Sequence, residues 1–227
     1  MRRILDAVLF DLDGVLTSTT ELHIDCWKRT FDPLLAELGQ GPFDPRREYA
    51  DHVDGKPRYD GVRDFLRSRR VELPESQIVE IGDRKQTLVE RALARDGVSA
   101  FPGSERWVRE LRAHGIRTAV VSSSANARQV LRAAGLDDAF DAVVDGGEVA
   151  RLGLRGKPAP DGFLEATRRV GVRADRAAVV EDALAGVAAG RAGEFRLVIG
   201  VARNVSCDEL RQAGADVVVE DLGELAA

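Results

Sequence analysis

Six short apolar runs, each closing on polar residues, constrain this chain more than anything else in it. They are residues 7–10 (Ala-Val-Leu-Phe), 118–121 (Thr-Ala-Val-Val), 142–144 (Ala-Val-Val), 177–180 (Ala-Ala-Val-Val), 197–199 (Leu-Val-Ile) and 217–219 (Val-Val-Val). Runs this short, with so much Val and Ile, read as strands buried on both faces. Between them lie segments of helical period with stop signals. Trp107, Val108 and Leu111 share one face of a helix that ends at His114-Gly115; residues 126–134 end at Gly135, and residues 161–170 at Gly171. A glycine just past the last periodic residue supplies the left-handed stop. Strand and helix in alternation predict an α/β protein built on a parallel sheet flanked by helices.

Residues 18–100 break the rhythm. A long helix is predicted over residues 20–38, then a stretch rich in Gly, Pro and charge over 39–61, then amphipathic helices near 60–70 and 84–96. Ile78-Val79-Glu80-Ile81 fits a strand by pattern, yet nothing else in this stretch does. The economical reading is a helical insertion after the first strand. It divides the chain into core (1–17), helical cap (18–100) and core again (101–227), with the sheet resuming after Phe101-Pro102-Gly103. The 227 residues lie between the lengths of one and two domains and bury a core without covalent help.

Composition removes several function classes. Cys26 and Cys207 cannot form a disulfide framework, no CxxC is present, and His23, His52 and His114 are scattered. Thirty-eight acids against 33 bases give a net charge of −5 without a basic block, which argues against nucleic acid as a partner. No apolar run reaches the ~18 residues of a membrane helix. The first residues carry neither a long apolar stretch nor a small-residue cleavage site, so a cytoplasmic protein is expected. Arginine is the usual cation here; lysine occurs only at 28, 56, 85 and 157.

The chemistry gathers at the predicted strand ends. Asp11-Leu12-Asp13-Gly14 follows the first strand, with two carboxylates two residues apart and a glycine for the turn. Ser122-Ser123-Ser124 ends the second strand, Glu181-Asp182 ends the fourth, and Gly156-Lys157-Pro158 precedes the helix at Asp161. Taken singly, each has an ordinary structural explanation as a cap, a turn or a surface charge. Taken together, beyond the carboxyl ends of successive parallel strands, they form a ligand site. Carboxylates hold a hard cation, hydroxyls and amides bind phosphate oxygens, and a lysine neutralises their charge.

These four segments, in this order, resemble the four motifs of the haloacid dehalogenase superfamily: Phe10-Asp11-Leu12-Asp13-Gly14-Val15, Val121-Ser122, Gly156-Lys157-Pro158-Ala159-Pro160-Asp161 and Val180-Glu181-Asp182-Ala183-Leu184-Ala185-Gly186. The resemblance covers the whole core and implies a Rossmann-like sheet. It implies that Asp11 attacks phosphorus and that Asp13 is the general acid/base. Ser122, Ser123 and Lys157 would hold the phosphoryl group. Mg²⁺ would be bound by Asp11, the main-chain carbonyl of Asp13 and Asp182, with Glu181 nearby.

The insertion is similar to that of the β-phosphoglucomutase-like branch. Thr19, His23 and Trp27 follow the nucleophile loop at matching spacings. Gly55-Lys56-Pro57-Arg58 resembles the segment whose arginine holds a distal phosphate, and Arg84-Lys85 the segment whose lysine enters the site. Ser124 and Asn126 match the core side of the distal-phosphate site. Ser18 stands where many relatives have Asp, Ala125 replaces a lysine, and residues 49–62 match only loosely. The expectation is a monomeric Mg²⁺-dependent phosphosugar mutase that interconverts β-glucose 1-phosphate and glucose 6-phosphate through an aspartyl-phosphate and a bisphosphate. The alternatives are a sugar-phosphate phosphatase on the same scaffold and a non-catalytic sugar-phosphate-binding protein.

Overall fold

The computed structural model describes residues 5–226. Six parallel strands form one sheet: β1 (Ala7–Phe10), β2 (Arg117–Val121), β3 (Ala142–Val144), β4 (Ala177–Glu181), β5 (Leu197–Val201) and β6 (Val217–Val219), in the spatial order β3-β2-β1-β4-β5-β6. All six predicted strands are present, and the strand order is that of a Rossmann-type doubly wound sheet, which reverses direction between β1 and β4. The helices are α1 (Thr20–Glu37), α2 (Arg58–Ser68), α3 (Glu75–Asp96), α4 (Pro102–Ala113), α5 (Ala127–Ala133), α6 (Gly146–Arg151), α7 (Asp161–Val170), α8 (Leu184–Ala192) and α9 (Cys207–Ala213), with a π-helical turn at Tyr49–Val53.

Each strand of the sheet interior is buried on both faces, and its side chains alternate between two cores. Val8, Phe10, Val120, Val180 and Ile199 pack with Trp107 and Leu111 of α4 and Val130 and Leu131 of α5. Leu9, Ala119, Val179 and Val198 point the other way, onto Phe163 of α7, Val187 of α8 and Leu210 of α9. The period of two along a strand forces this division. Register places the chemistry: Phe10 lies opposite Val120 on one side and Val180 on the other. The residues after these three therefore leave the sheet along one edge.

The insertion has an aromatic cluster of its own, drawn entirely from residues between 24 and 81. The Phe31 ring lies 4.0 Å from Phe65 and stacks on Trp27 at 5.0 Å and 9°. Cys26, between Ile24 and Trp27 on α1, and Val89 and Leu93, farther along α3, join the sheet's own core instead. The segment Ile78–Ile81 is helical, and α3 begins at Glu75, well before the predicted start near residue 84. Ile78 and Ile81 are buried while Val79 is 37% exposed. A spacing of three buries one helix face, whereas a strand would have set Val79 and Ile81 on the same side. Among the described residues, no helix is long and apolar enough to cross a membrane.

Phe31→Ala should cost about 3–5 kcal/mol of stability in chemical denaturation, the usual penalty for removing a buried aromatic ring. A cost under about 1 kcal/mol would mean that the cluster is loosely packed and that the insertion's order comes from elsewhere.

Candidate active site

The end of β1 is locked into β4 by the Asp11 N–H, which donates to Val180 O at 2.9 Å. The chain then doubles back: Leu16 N and Thr17 N both donate to Leu12 O, and Gly14 N donates to Thr17 O. Gly14 has φ +84°, and a Cβ there would lie 1.9 Å from Asp182 Oδ2. The turn and the close approach of the fourth-strand carboxylate both demand glycine.

Lys157 binds the strand ends together. Its ammonium lies 2.5 Å from Asp11 Oδ1 and 2.5 Å from Glu181 Oε1, and it donates to Val121 O at 3.1 Å. Burial works against its charge, but Asp11 and Glu181 outweigh burial and raise its pKa. Glu181 Oε2 accepts from Ala183 N at 3.2 Å, so both oxygens of that carboxylate are engaged. Asp11, Glu181 and Asp182 each offer one oxygen within 4.8 Å of the others.

Three buried carboxylates thus lie together, and one ammonium reaches two of them. Burial, above all, raises all three pKa values, that of Glu181 to about 8, with neighbouring carboxylates adding to it, Asp13 at Asp11, Asp11 at Glu181 and Asp54 first at Asp182; Lys157 opposes the rise at Asp11 and Glu181. The donors are oxygens only, and the local charge is under-neutralised, which is what a hard divalent cation such as Mg²⁺ corrects.

Asp13 has a separate set of partners. Thr19 Oγ1 donates to its Oδ1, and His23 Nε2 is 3.3 Å from the same oxygen. Lys85 Nζ lies 2.7 Å from His23 Nδ1 and 4.9 Å above the Trp27 ring. An ammonium has only donors, so Nδ1 accepts, and the ring proton faces Asp13 from Nε2. Burial pushes the Asp13 carboxyl up, but His23, Thr19 and Lys85 hold it at about 2. Burial lowers Lys85 to about 8 despite the attraction of Asp13.

A cleft of about 370 Å³ separates the core edge from the insertion. Asp11, Asp13 and Asp182 line it together with Arg58, Gln86, Ser124, His23, Trp27 and Lys85. Arg58 donates to Gln86 Oε1 at 2.5 Å and to the Tyr59 hydroxyl at 3.0 Å, and lies 3.5 Å from Asp83. Asn126 does not line the cleft itself; it is bonded to Gln86 at 2.7 Å and, through its N–H, to Ser124 Oγ at 3.2 Å.

Three serine and threonine hydroxyls are placed differently from what their types suggest. Ser123 donates to Gly55 O in the insertion at 2.6 Å, so in this conformation it ties the insertion to the end of β2. Thr19 is turned inward to Asp13 rather than lining the cleft. Ser122 Oγ accepts from Ser124 N at 3.0 Å, beside Lys157 in a small recess behind the cleft. The crossing beside Ser123 is tight: a Cβ on Gly156 would lie 1.9 Å from Pro57 Cγ.

Sequence reasoning missed Asp54, Tyr49 and Gln86. Asp54 is buried in the cleft wall, and burial raises its carboxyl to about 7, with Asp11 and Asp13 adding to the rise and a Tyr49 hydrogen bond opposing it. The signal for Gln86 was available: Gly82, Lys85, Gln86 and Val89 share a helix face, but only once α3 is extended back past residue 84. Asp54 carried no such signal, because the loop around Gly55 has no period.

A doubly wound sheet with an aspartate pair, a lysine and a second acidic pair at adjoining strand ends defines a phosphoryl-transfer enzyme. The profile of the haloacid dehalogenase-like hydrolases matches residues 5–193. The chain is 47% identical over 237 residues to a β-phosphoglucomutase of Mycobacterium tuberculosis, covering 96% of this chain and 90% of that one. It is 32% identical to a β-phosphoglucomutase of Bacillus subtilis, covering 97% and 92%. A structure of CbbY from Rhodobacter sphaeroides, in complex with xylulose-(1,5)bisphosphate, superposes with a TM-score of 0.78 at 28% identity, over 97% of this chain and 96% of that one. The chain belongs to the haloacid dehalogenase-like hydrolase family, as a β-phosphoglucomutase-like member.

Lysine-selective NMR should show Lys85 releasing its proton near pH 8, well below the ordinary lysine value. The folded pKa lies below the unfolded one, so this group should make stability rise with pH from about 8 upward, until the unfolded lysine also titrates. An ordinary lysine value would place Lys85 in solvent and break the Lys85–His23–Asp13 chain.

Proposed function

We propose that the protein is a Mg²⁺-dependent phosphosugar mutase acting on β-glucose 1-phosphate, with residues 18–100 as the cap over a core formed by 1–17 and 101–227. The observation that carries this reading is that the aspartate pair and the Arg58 side chain line one and the same cleft. Asp11, beside Lys157, and Arg58 and Ser124 line the same cleft, with Asn126 behind Ser124 and bonded to Gln86. A mutase must hold a second phosphate while the first reacts; simple hydrolysis of a monophosphate does not require it.

In this reading Asp11 attacks phosphorus and carries the phosphoryl group, while Lys157 and Ser122 bind its oxygens. Asp13, ionised at neutral pH by its His23 and Thr19 contacts, takes the proton from the sugar hydroxyl that attacks the phospho-enzyme. It returns the proton to the leaving oxygen when the other phosphate is handed back to Asp11. Asp11, Asp182 and the Asp13 carbonyl would hold Mg²⁺, with Glu181 engaged by Lys157. A bound Mg²⁺ would offset charge on the transferring phosphoryl oxygens. The bisphosphate reorients between the two transfers, so the Ser123–Gly55 tie must open and close.

Hydrolysis of a sugar bisphosphate is the second reading. It is favoured by the likeness to CbbY in complex with xylulose-(1,5)bisphosphate, a ligand that carries two phosphate groups. Product analysis separates the two. With β-glucose 1-phosphate, Mg²⁺ and a trace of the 1,6-bisphosphate, glucose 6-phosphate is expected, and free phosphate would mean a hydrolase. Arg58→Ala should raise KM for the sugar phosphate while sparing phosphorylation of Asp11 by acetyl phosphate, which has no far phosphate to hold. Equal loss in both reactions would make the arginine structural.

Chelation should abolish turnover, and Mg²⁺ should restore it. In calorimetric titration, Asp182→Ala should weaken Mg²⁺ binding far more than Glu181→Gln. Equal weakening would put Glu181 among the ligands.

A further inference from the structure

Gln86, on α3, joins the two sides of the cleft. Its Oε1 accepts from Arg58 Nη1 at 2.5 Å, and its Nε2 donates to Asn126 Oδ1 at 2.7 Å and to Glu90 Oε1 at 2.8 Å. Arg58 can only donate and an ionised Glu90 can only accept, so the Gln86 amide has one orientation. Through it the Asn126 amide has one as well: its oxygen faces Gln86 and its NH₂ is left for another partner.

The atoms that this arrangement leaves over share a character. Asn126 Nδ2 and Arg58 Nε are both buried without a hydrogen-bond partner. Asn126 as a whole is 8% exposed. Both atoms are N–H donors, and buried donors without an acceptor are unfavourable until something supplies one. Ser124, whose Oγ accepts from the Asn126 N–H, lines the cleft together with Arg58 and Gln86.

We propose that Gln86 is a positioning residue that fixes the polarity of the Asn126 amide, so that the spare N–H donors of Asn126 and Arg58, beside Ser124 in the cleft wall, are kept for a phosphate at the far end of the substrate. This rests on the reading of that group as the distal-phosphate site. A carboxylate at position 86 has no donor, so Asn126 must turn its NH₂ toward it and present its oxygen to the anion. The new charge would also compete for Arg58. Methionine keeps the length of the side chain and neither sets nor reverses the amide.

The test compares full-length wild type, Gln86→Met and Gln86→Glu. Three quantities are measured: KM and kcat with β-glucose 1-phosphate, the calorimetric Kd for glucose 6-phosphate, and the rate of Asp11 phosphorylation by acetyl phosphate. Gln86→Glu should raise KM and Kd by about tenfold or more and Gln86→Met by about threefold, with acetyl phosphate reactivity within about twofold of wild type in both. Equal increases in the two variants would reduce Gln86 to a packing role and overturn the inference. A parallel loss with acetyl phosphate would do so too, by showing general damage to the site. A wild type that neither binds nor turns over either sugar phosphate would overturn the distal-phosphate reading itself, and this inference with it. The other two adverse outcomes leave that reading standing.

Discussion

One buried ammonium holds the centre of this protein together. Lys157 is within 2.5 Å of carboxylates from two neighbouring strands, and all three side chains are under a tenth exposed. Taking such charges out of water is unfavourable unless each finds a partner, and removing one member of a buried pair typically costs about 3–5 kcal/mol. The sheet register brings Asp11 and Glu181 side by side, and the α7 approach brings Lys157 over them. Structural need and reactivity therefore coincide. The ammonium that lets two carboxylates be buried together also stands where an incoming anion has to be neutralised.

The same strand ends carry a second, opposed arrangement. Asp13 is held strongly ionised, while Asp11, Glu181 and Asp182 are pushed toward protonation by burial and by neighbouring carboxylates. Environments that separate the pKa values of neighbouring acids are how a site divides labour among chemically identical groups. Here the division follows from partners. Asp13 has His23, Thr19 and, one bond farther, Lys85, whereas Lys157 reaches Asp11 and Glu181 of the three clustered acids.

The core was legible because its information is local. A four-residue apolar run followed by Asp-Leu-Asp-Gly states both the strand and what leaves its end, and the same holds for residues 177–182. The cap was less so. The helix period that places Gln86 beside Lys85 is hidden if residues 78–81 are taken as a strand. Asp54 lies in an aperiodic loop whose position depends on Gly55 and Pro57 meeting the core. Hydroxyls were the least readable. Ser123 and Thr19 each announce a hydrogen bond, but only tertiary packing decides whether the partner is a ligand, a Gly55 carbonyl or the Asp13 carboxylate.

The position of β1 in the middle of the sheet also orders events in time. Its two neighbours begin at Arg117 and Ala177, so during synthesis the apolar segment Ala7–Phe10 has no strand to pair with until those distant residues emerge. The aromatic cluster between residues 24 and 81 needs nothing beyond itself and meets its partners early. The nascent chain thus gains a packed insertion while its first strand still waits, the interval in which an unpaired strand is most open to wrong association. Asp11 remains an ordinary carboxylate through that interval. It meets its ammonium only when Lys157 arrives, and its acidic neighbours only when β4 closes the sheet.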